Sequence, residues 1–189
     1  MAGLDTSLIS KVARQLQTRP AYAEAGTRGS ILSAAASSYG FRADMDDLTQ
    51  PTGFDPQAAR LFEALVESAY LVATADGEFD ATERTAFEHV VLTACAGLVA
   101  ERQVRALIAD LAAQLADDGL DKRIEIVSRS VGKPEHAREV LRVAALLASV
   151  SGGVSDPERD VMRRLAQKFA LDDVAIDRAL AEASRVLSG

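Results

Sequence analysis

Read for periodicity, nearly the whole chain is helical: apolar residues return at the three- and four-residue spacing that lines one helix face. Leu8, Ile9, Val12, Ala13 and Leu16 mark a first short helix, closed by Pro20. A loop at Gly26 to Gly29 leads to a second short helix over Ile31 to Tyr39. Residues 42–56, RADMDDLTQPTGFDP, are acidic and broken by Pro51, Gly53 and Pro56, which predicts a linker or an ordered surface loop. From Pro56 the pattern tightens. Leu61, Phe62, Leu65, Val66, Ala69 and Val72 give a helix that is apolar almost all round near its end, as at a bundle centre. After the loop ADGEFD a helix starts near Ala81 and runs towards Cys95. Val104, Leu107, Ile108, Leu111 and Leu115 build the next, stopped by Asp117, Asp118 and Gly119. A short helix over Lys122 to Val131 leads to a new start at Pro134. Val140, Leu141, Ala144, Leu147 and Ala148 form a second all-round apolar helix. The loop SGGVSDPE, a helix over Val161, Leu165 and Phe169, and a last helix from Asp172 complete the chain.

Two of these blocks repeat. LVATADGEFDATERTAFEHVV, residues 71–91, aligns without a gap to LLASVSGGVSDPERDVMRRLA, residues 146–166. In each, a buried helix runs into a glycine turn, followed by an apolar residue (Phe79, Val154), a polar cap (Asp80, Ser155) and, three places on, an acid (Glu83, Glu158). The expected fold is therefore all-α: a compact helical bundle of about seven to eight helices with two pseudo-symmetric helix–loop–helix halves. Residues 1–55 form an N-terminal helical extension and acidic linker, and residues 56–189 the helical domain. The first helix is too apolar on one face to be left in water and is expected to lie on the main domain or on a second copy.

Composition narrows the function classes. With 48% hydrophobic and 26% charged residues, the 189-residue chain can bury a sizeable core. Aromatics stand at 5%, tryptophan is absent, and the net charge is −7. Those values argue against a nucleic-acid platform of stacked rings and against a general phosphate-backbone binder. A single cysteine, Cys95, excludes an internal disulfide framework and a multi-cysteine zinc site. The longest apolar run, Val90 to Ala100, is far too short to span a bilayer, so no integral membrane segment is expected. Residues 6–42 share the Ser, Ala and Arg bias of transit peptides, but a soluble, cytoplasmic protein is the expectation.

The two loops carry two readings. Asp80-x-x-Glu83 and Ser155-x-x-Glu158 fit the capping box, in which cap side chain and acid satisfy each other's free backbone N–H groups. Gly77 and Gly152 would supply the left-handed backbone that ends the preceding helices. Each cap contributes about 1 kcal/mol to its helix, and no metal is needed. The second reading notes that Asp76, Gly77, Phe79, Asp80 and Glu83 resemble the second half of a calcium-binding EF-hand loop. Val72 and Thr74 stand where its first and third oxygen ligands belong, so half a coordination sphere is missing. A site sharing carboxylates from both halves stays open, since hard cations accept oxygens from separate segments.

A pair of Asp-Gly-type loops, each followed by an acid at the start of the next helix in an all-helical domain, resembles the TerB family, which is tied to tellurite resistance. The resemblance covers roughly residues 57–187 and concentrates in ADGEFDATER and SGGVSDPER. It implies a fold shared with the N-terminal domain of a DnaJ-type membrane co-chaperone, an acidic cluster for divalent cations (calcium, magnesium or manganese), and a role in stress-response assemblies. Position by position, Asp76, Asp80 and Glu83 match the first motif and Glu158 the acid of the second, while Ser151 departs where an aspartate is usual.

Other chemistry is thin. His89 and His136 are far apart and belong to no Glu-x-x-His pair. Glu135, His136 and Glu139 read as a polar helix start, and Cys95 as a small core residue in an apolar stretch. Arg159, Arg163, Arg164 and Lys168 make a basic helix face, a solvated surface or a docking patch for an acidic partner. No phosphate-binding glycine loop or nucleophile elbow occurs, and the His-Pro-Asp signature of a J-domain is missing. The expectation is a non-enzymatic stress-response or scaffold module that binds a divalent cation weakly and meets a protein partner or a second copy of itself. The alternative is a metal-independent interaction adaptor that uses the extension or the basic face.

Overall fold

A computed structural model describes residues 5–23, 29–41, 54–77 and 79–188. Nine α-helices form among the described residues: α1 (Thr6–Gln17), α2 (Ile31–Gly40), α3 (Pro56–Ala73), α4 (Ala81–Cys95), α5 (Glu101–Asp118), α6 (Leu120–Ser130), α7 (Pro134–Ala148), α8 (Asp156–Lys168) and α9 (Asp173–Ser188). A single 3-10 turn, Ser149–Ser151, follows α7, and no strand forms among these residues. The helix count slightly exceeds the expected seven to eight, and both short N-terminal segments form the helices expected of them. Each has what a marginal helix needs, a cap and an apolar face to bury. Asp5 accepts the Ser7 and Leu8 amides, and Ser30 accepts that of Ser33. The acidic segment expected to be a linker falls mostly outside the described residues, as does the loop at Gly26.

α3 and α7 sit at the centre and pack against each other more extensively than any other pair. Their all-round apolar sequence has that cause: Phe62, Leu65, Leu141 and Leu146 are wholly buried, and both helices touch α8 as well as each other. α1 and α2 pack into the same core, with Ile9, Val12, Ala13, Leu16, Leu32 and Ala36 buried in it. The Tyr39 and Phe62 rings stack 4.7 Å apart, and Ser38 takes the Asp55 amide at 2.7 Å, fixing α2 to the start of α3. Gly40 lies so close to the chain beyond α4 that a Cβ there would stand 1.8 Å from the Leu98 carbonyl oxygen. No residue with a side chain fits that approach.

Two buried ion pairs cross this core. Arg123 on α6 reaches Glu67 on α3 at 2.6 Å and Asp118 at 3.1 Å. The second is larger and fastens the N-terminal helix. Arg142, 2% exposed on α7, donates to Glu139 at 3.0 Å, to Glu182 of α9 at 2.8 Å, to Thr18 Oγ1 at 3.1 Å and to the Gln15 carbonyl. Tyr22 donates its hydroxyl to Glu139 at 2.7 Å, and Gln15 donates to Glu182 at 2.6 Å. Glu139 is therefore not part of a polar helix start, as its neighbours Glu135 and His136 suggested, but a wholly buried carboxylate. Burial pushes its pKa up, against the opposing pull of Arg142 and Tyr22. Burial also pulls the Arg142 guanidinium down, but Glu139 and Glu182 more than offset it.

The basic face on α8 is also partly neutralised. Arg164 pairs with Asp121 and Lys168 with Glu125, both on α6. Arg159 and Arg163 have no ion pair among the described residues.

Candidate functional site

The two repeated blocks fold in the same register. α3 ends at Ala73 and α7 at Ala148, α4 begins at Ala81 and α8 at Asp156, and each start is seventy-five positions after its counterpart. Gly77 and Gly152 both take positive φ, 81° and 118°, and turn the chain out of the central helices. Phe79 and Val154 sit half-buried beneath their turns. The Phe79 ring meets Tyr70 and Phe87 edge-on at 5.4 and 6.0 Å.

Both capping boxes form. Asp80 Oδ1 accepts the amides of Thr82 and Glu83 at 2.7 and 2.8 Å, while Glu83 Oε2 accepts that of Asp80 at 3.0 Å. Ser155 Oγ accepts the Glu158 amide at 3.4 Å, and Glu158 Oε2 accepts that of Ser155 at 2.7 Å. Each acid thus commits one oxygen to its own helix start. Arg84, which follows Glu83, turns to Glu88 at 3.2 Å instead of neutralising the turn.

The acids differ in exposure. Asp76 and Asp80 are exposed, Glu83 is half-buried and Glu158 is 4% exposed. Burial raises the Glu158 pKa, its two Ser155 hydrogen bonds lower it, and Asp76 and Glu83 raise it again by repulsion. The last effect is geometric information: acids of the first turn lie close enough to the acid of the second to act on it through space. Asp156, by contrast, is exposed. Among the described residues no group of three or more His, Cys, Asp and Glu side chains is arranged to hold an ion. The donor chemistry, carboxylate oxygen only, fits a hard cation, but the acids do not close into a cage.

The burial of Glu158 was legible and missed. It precedes Val161, Met162 and Leu165 by three, four and seven positions, so it lies on the buried stripe of its own helix. The remaining candidates have structural explanations. Cys95 is fully buried, and burial pushes its thiol up to about 12, away from nucleophile or ligand chemistry. His89 is exposed, and His136 lies on a different helix, half-buried. None of the described helices is long and apolar enough to cross a membrane.

Compared with known proteins, residues 62–181 match the family model described as tellurite resistance protein TerB, which covers more than half of the chain. No curated protein and no solved structure gives a match. The matched span runs from the middle of α3 into α9 and takes in both acidic turns. The chain belongs to the TerB family of tellurite-resistance proteins.

Proposed function

We propose that this chain is a non-enzymatic, cytoplasmic stress-response or scaffold module of the TerB type, and that a divalent cation bound weakly between its two acidic turns is an accessory property. The observation that supports the cation is the repulsion that Asp76 and Glu83 exert on the buried Glu158 across the junction of the two halves. Repulsion between carboxylates in mutual range is relieved by a cation of higher charge density than a side chain can offer. With Asp80, Glu83 and Glu158 each holding a backbone amide, the ion would keep much of its water and meet the protein at a surface-accessible oxygen site. The non-enzymatic reading rests on the side chains present: the one thiol is buried and held protonated, and neither histidine lies beside the acidic turns.

The adaptor alternative has lost part of its surface. The extension's apolar face is used inside the chain, and two of the four cations on α8 are paired with α6.

Thermal unfolding in calcium, magnesium and manganese tests the cation. A native-state ligand at ten times its Kd adds about 1.4 kcal/mol, and a chain of this size then melts about 3–6 °C higher. The expected result is a rise of that order for at least one ion, lost in the Asp76→Asn, Glu83→Gln double variant. A melting temperature that stays flat for all three ions makes the turns helix caps only. A rise that survives the double variant moves the ion elsewhere.

A further inference from the structure

Away from the acidic turns, α1, α7 and α9 together carry a strip of cations that pairs with no carboxylate among the described residues. Lys11 and Arg14 project from α1, Arg138 from α7, and Arg178 and Arg185 from α9. None of the five forms an ion pair among the described residues; Arg14 and Arg185 each bond only a backbone carbonyl of their own helix. Elsewhere on this chain, with its net charge of −7, cations are commonly paired: Arg105, Lys122, Arg129, Arg164 and Lys168 all meet a carboxylate. Five unpaired cations on one strip are a marked concentration of positive potential.

The strip is also concave. A cleft of about 720 Å³ runs between the turn at Pro20–Tyr22, α7 and the length of α9, and Arg138, Arg178 and Arg185 line it. A shallower depression of about 390 Å³ continues it past Lys11 and Arg14, and the two share Glu182 and Arg185. Leu171, Ala175 and Val174 add apolar surface to the lining of the larger cleft, Val174 being 48% exposed. Tyr22, Arg142 and Glu182, which also line it, are held by hydrogen bonds in the network around Glu139. Glu182, which lines both depressions, accepts from Arg142 and Gln15 through Oε1.

We infer that this cleft is a docking site for an acidic polypeptide segment of a partner protein, with an apolar side chain against Leu171, Val174 and Ala175 and carboxylates on Arg138, Arg178 and Arg185. Guanidinium groups take carboxylates in paired, parallel hydrogen bonds, and a cleft of this size accepts a few side chains. Charge complementarity selects the occupant class. A continuous phosphate backbone would run on beyond this short strip over a chain of net charge −7, whereas a short acidic segment ends within it. A membrane would need a cluster of exposed large apolar residues, and Val174 is the only such residue lining the cleft. The site shares none of these lining residues with the acidic turns, so it stands or falls independently of the cation.

The test uses the full chain and a short fluorescent peptide of Asp and Glu around two central Leu residues, with its Asn/Gln counterpart as control. Fluorescence anisotropy should show binding of the acidic peptide only, weakening with salt. The Arg138→Gln, Arg178→Gln double variant should weaken it by about tenfold or more, equivalent to about 1.4 kcal/mol. Arg163→Gln, which removes an unpaired cation from α8, should leave it unchanged, and circular dichroism checks that all variants stay folded. Equal binding of the neutral peptide, equal loss in Arg163→Gln, or no loss in the double variant overturns the proposal. So does tighter binding of a single-stranded oligonucleotide or of phosphatidylserine-containing vesicles than of the acidic peptide.

Discussion

Replacing Arg142 with Met removes one guanidinium and strands a carboxylate. Glu139 is wholly buried, and Arg142 is its only cationic partner among the described contacts. Methionine fills comparable volume without charge, so the loss is electrostatic rather than a cavity. Breaking a buried pair from one side costs about 3–5 kcal/mol, because the remaining ion is left uncompensated. At about 2–4 °C per kcal/mol for a chain of this length, the melting temperature should fall by about 6–20 °C. Part of the loss should appear locally at α1, since Arg142 also holds the Gln15 carbonyl and Thr18. The double variant Glu139→Gln, Arg142→Met keeps an acceptor for the Tyr22 hydroxyl and removes the stranded charge, so it should recover about half of the loss or more. The pH dependence has a defined sign. Burial already holds the Glu139 pKa above the ordinary carboxylate value, and losing Arg142 raises it further. A folded state that binds a proton more tightly than the unfolded state loses stability as pH rises from the unfolded pKa through the folded one. The deficit of Arg142→Met relative to wild type should therefore be larger at about pH 8 than at about pH 5. Thermal melting gives the first quantity and urea denaturation the recovery and the pH dependence, both followed by circular dichroism. A double variant no more stable than the single one, or a deficit independent of pH, would refute the reasoning.

Three further outcomes follow from the geometry. Glu158→Gln keeps an oxygen for the Ser155 amide and removes the charge that Asp76 and Glu83 repel. Because that carboxyl is raised, its ionised form destabilises the fold progressively as pH climbs past the unfolded value, so the variant should match or exceed wild-type stability near neutrality, an advantage that fades in acid. Gly40→Ala sets a methyl against the immovable Leu98 carbonyl and should cost about 2–3 kcal/mol in the same denaturation assay. Cys95 should resist a thiol reagent in the native protein and react within the mixing time once unfolded, since burial both hides it and holds it protonated.

The order and ends of the helices were legible because periodicity, glycine turns and capping boxes all pointed the same way. The boundaries at Ala81 and Pro134 came from local signals that tertiary contacts had no reason to override. The repeat fixed which helices are central, since only a central position accounts for apolar residues on every side of α3 and α7. Apart from that of Glu158, buried charge was illegible. Glu67, Glu139 and Arg142 sit on helices otherwise read as apolar, and nothing local distinguishes a charge that faces a partner across the core from one that faces water. Their partners lie far away in sequence: Glu67 with Arg123, Arg142 with Glu182 and Gln15. For the same reason the cation strip escaped notice. Lys11, Arg138 and Arg185 come from three distant helices, whereas the basic run on α8, visible as a local cluster, is half-consumed by α6.

A cation shared by the two acidic turns is tested most directly by manganese titrated into isotopically labelled protein, with magnesium as the diamagnetic control. Amide resonances of both turns, Gly77 and Glu83 in the first and Gly152 and Glu158 in the second, should broaden first and together at low manganese, and magnesium should reverse the effect by competition. Broadening confined to one turn, centred on another part of the surface, or spread evenly over all exposed carboxylates would contradict a shared site.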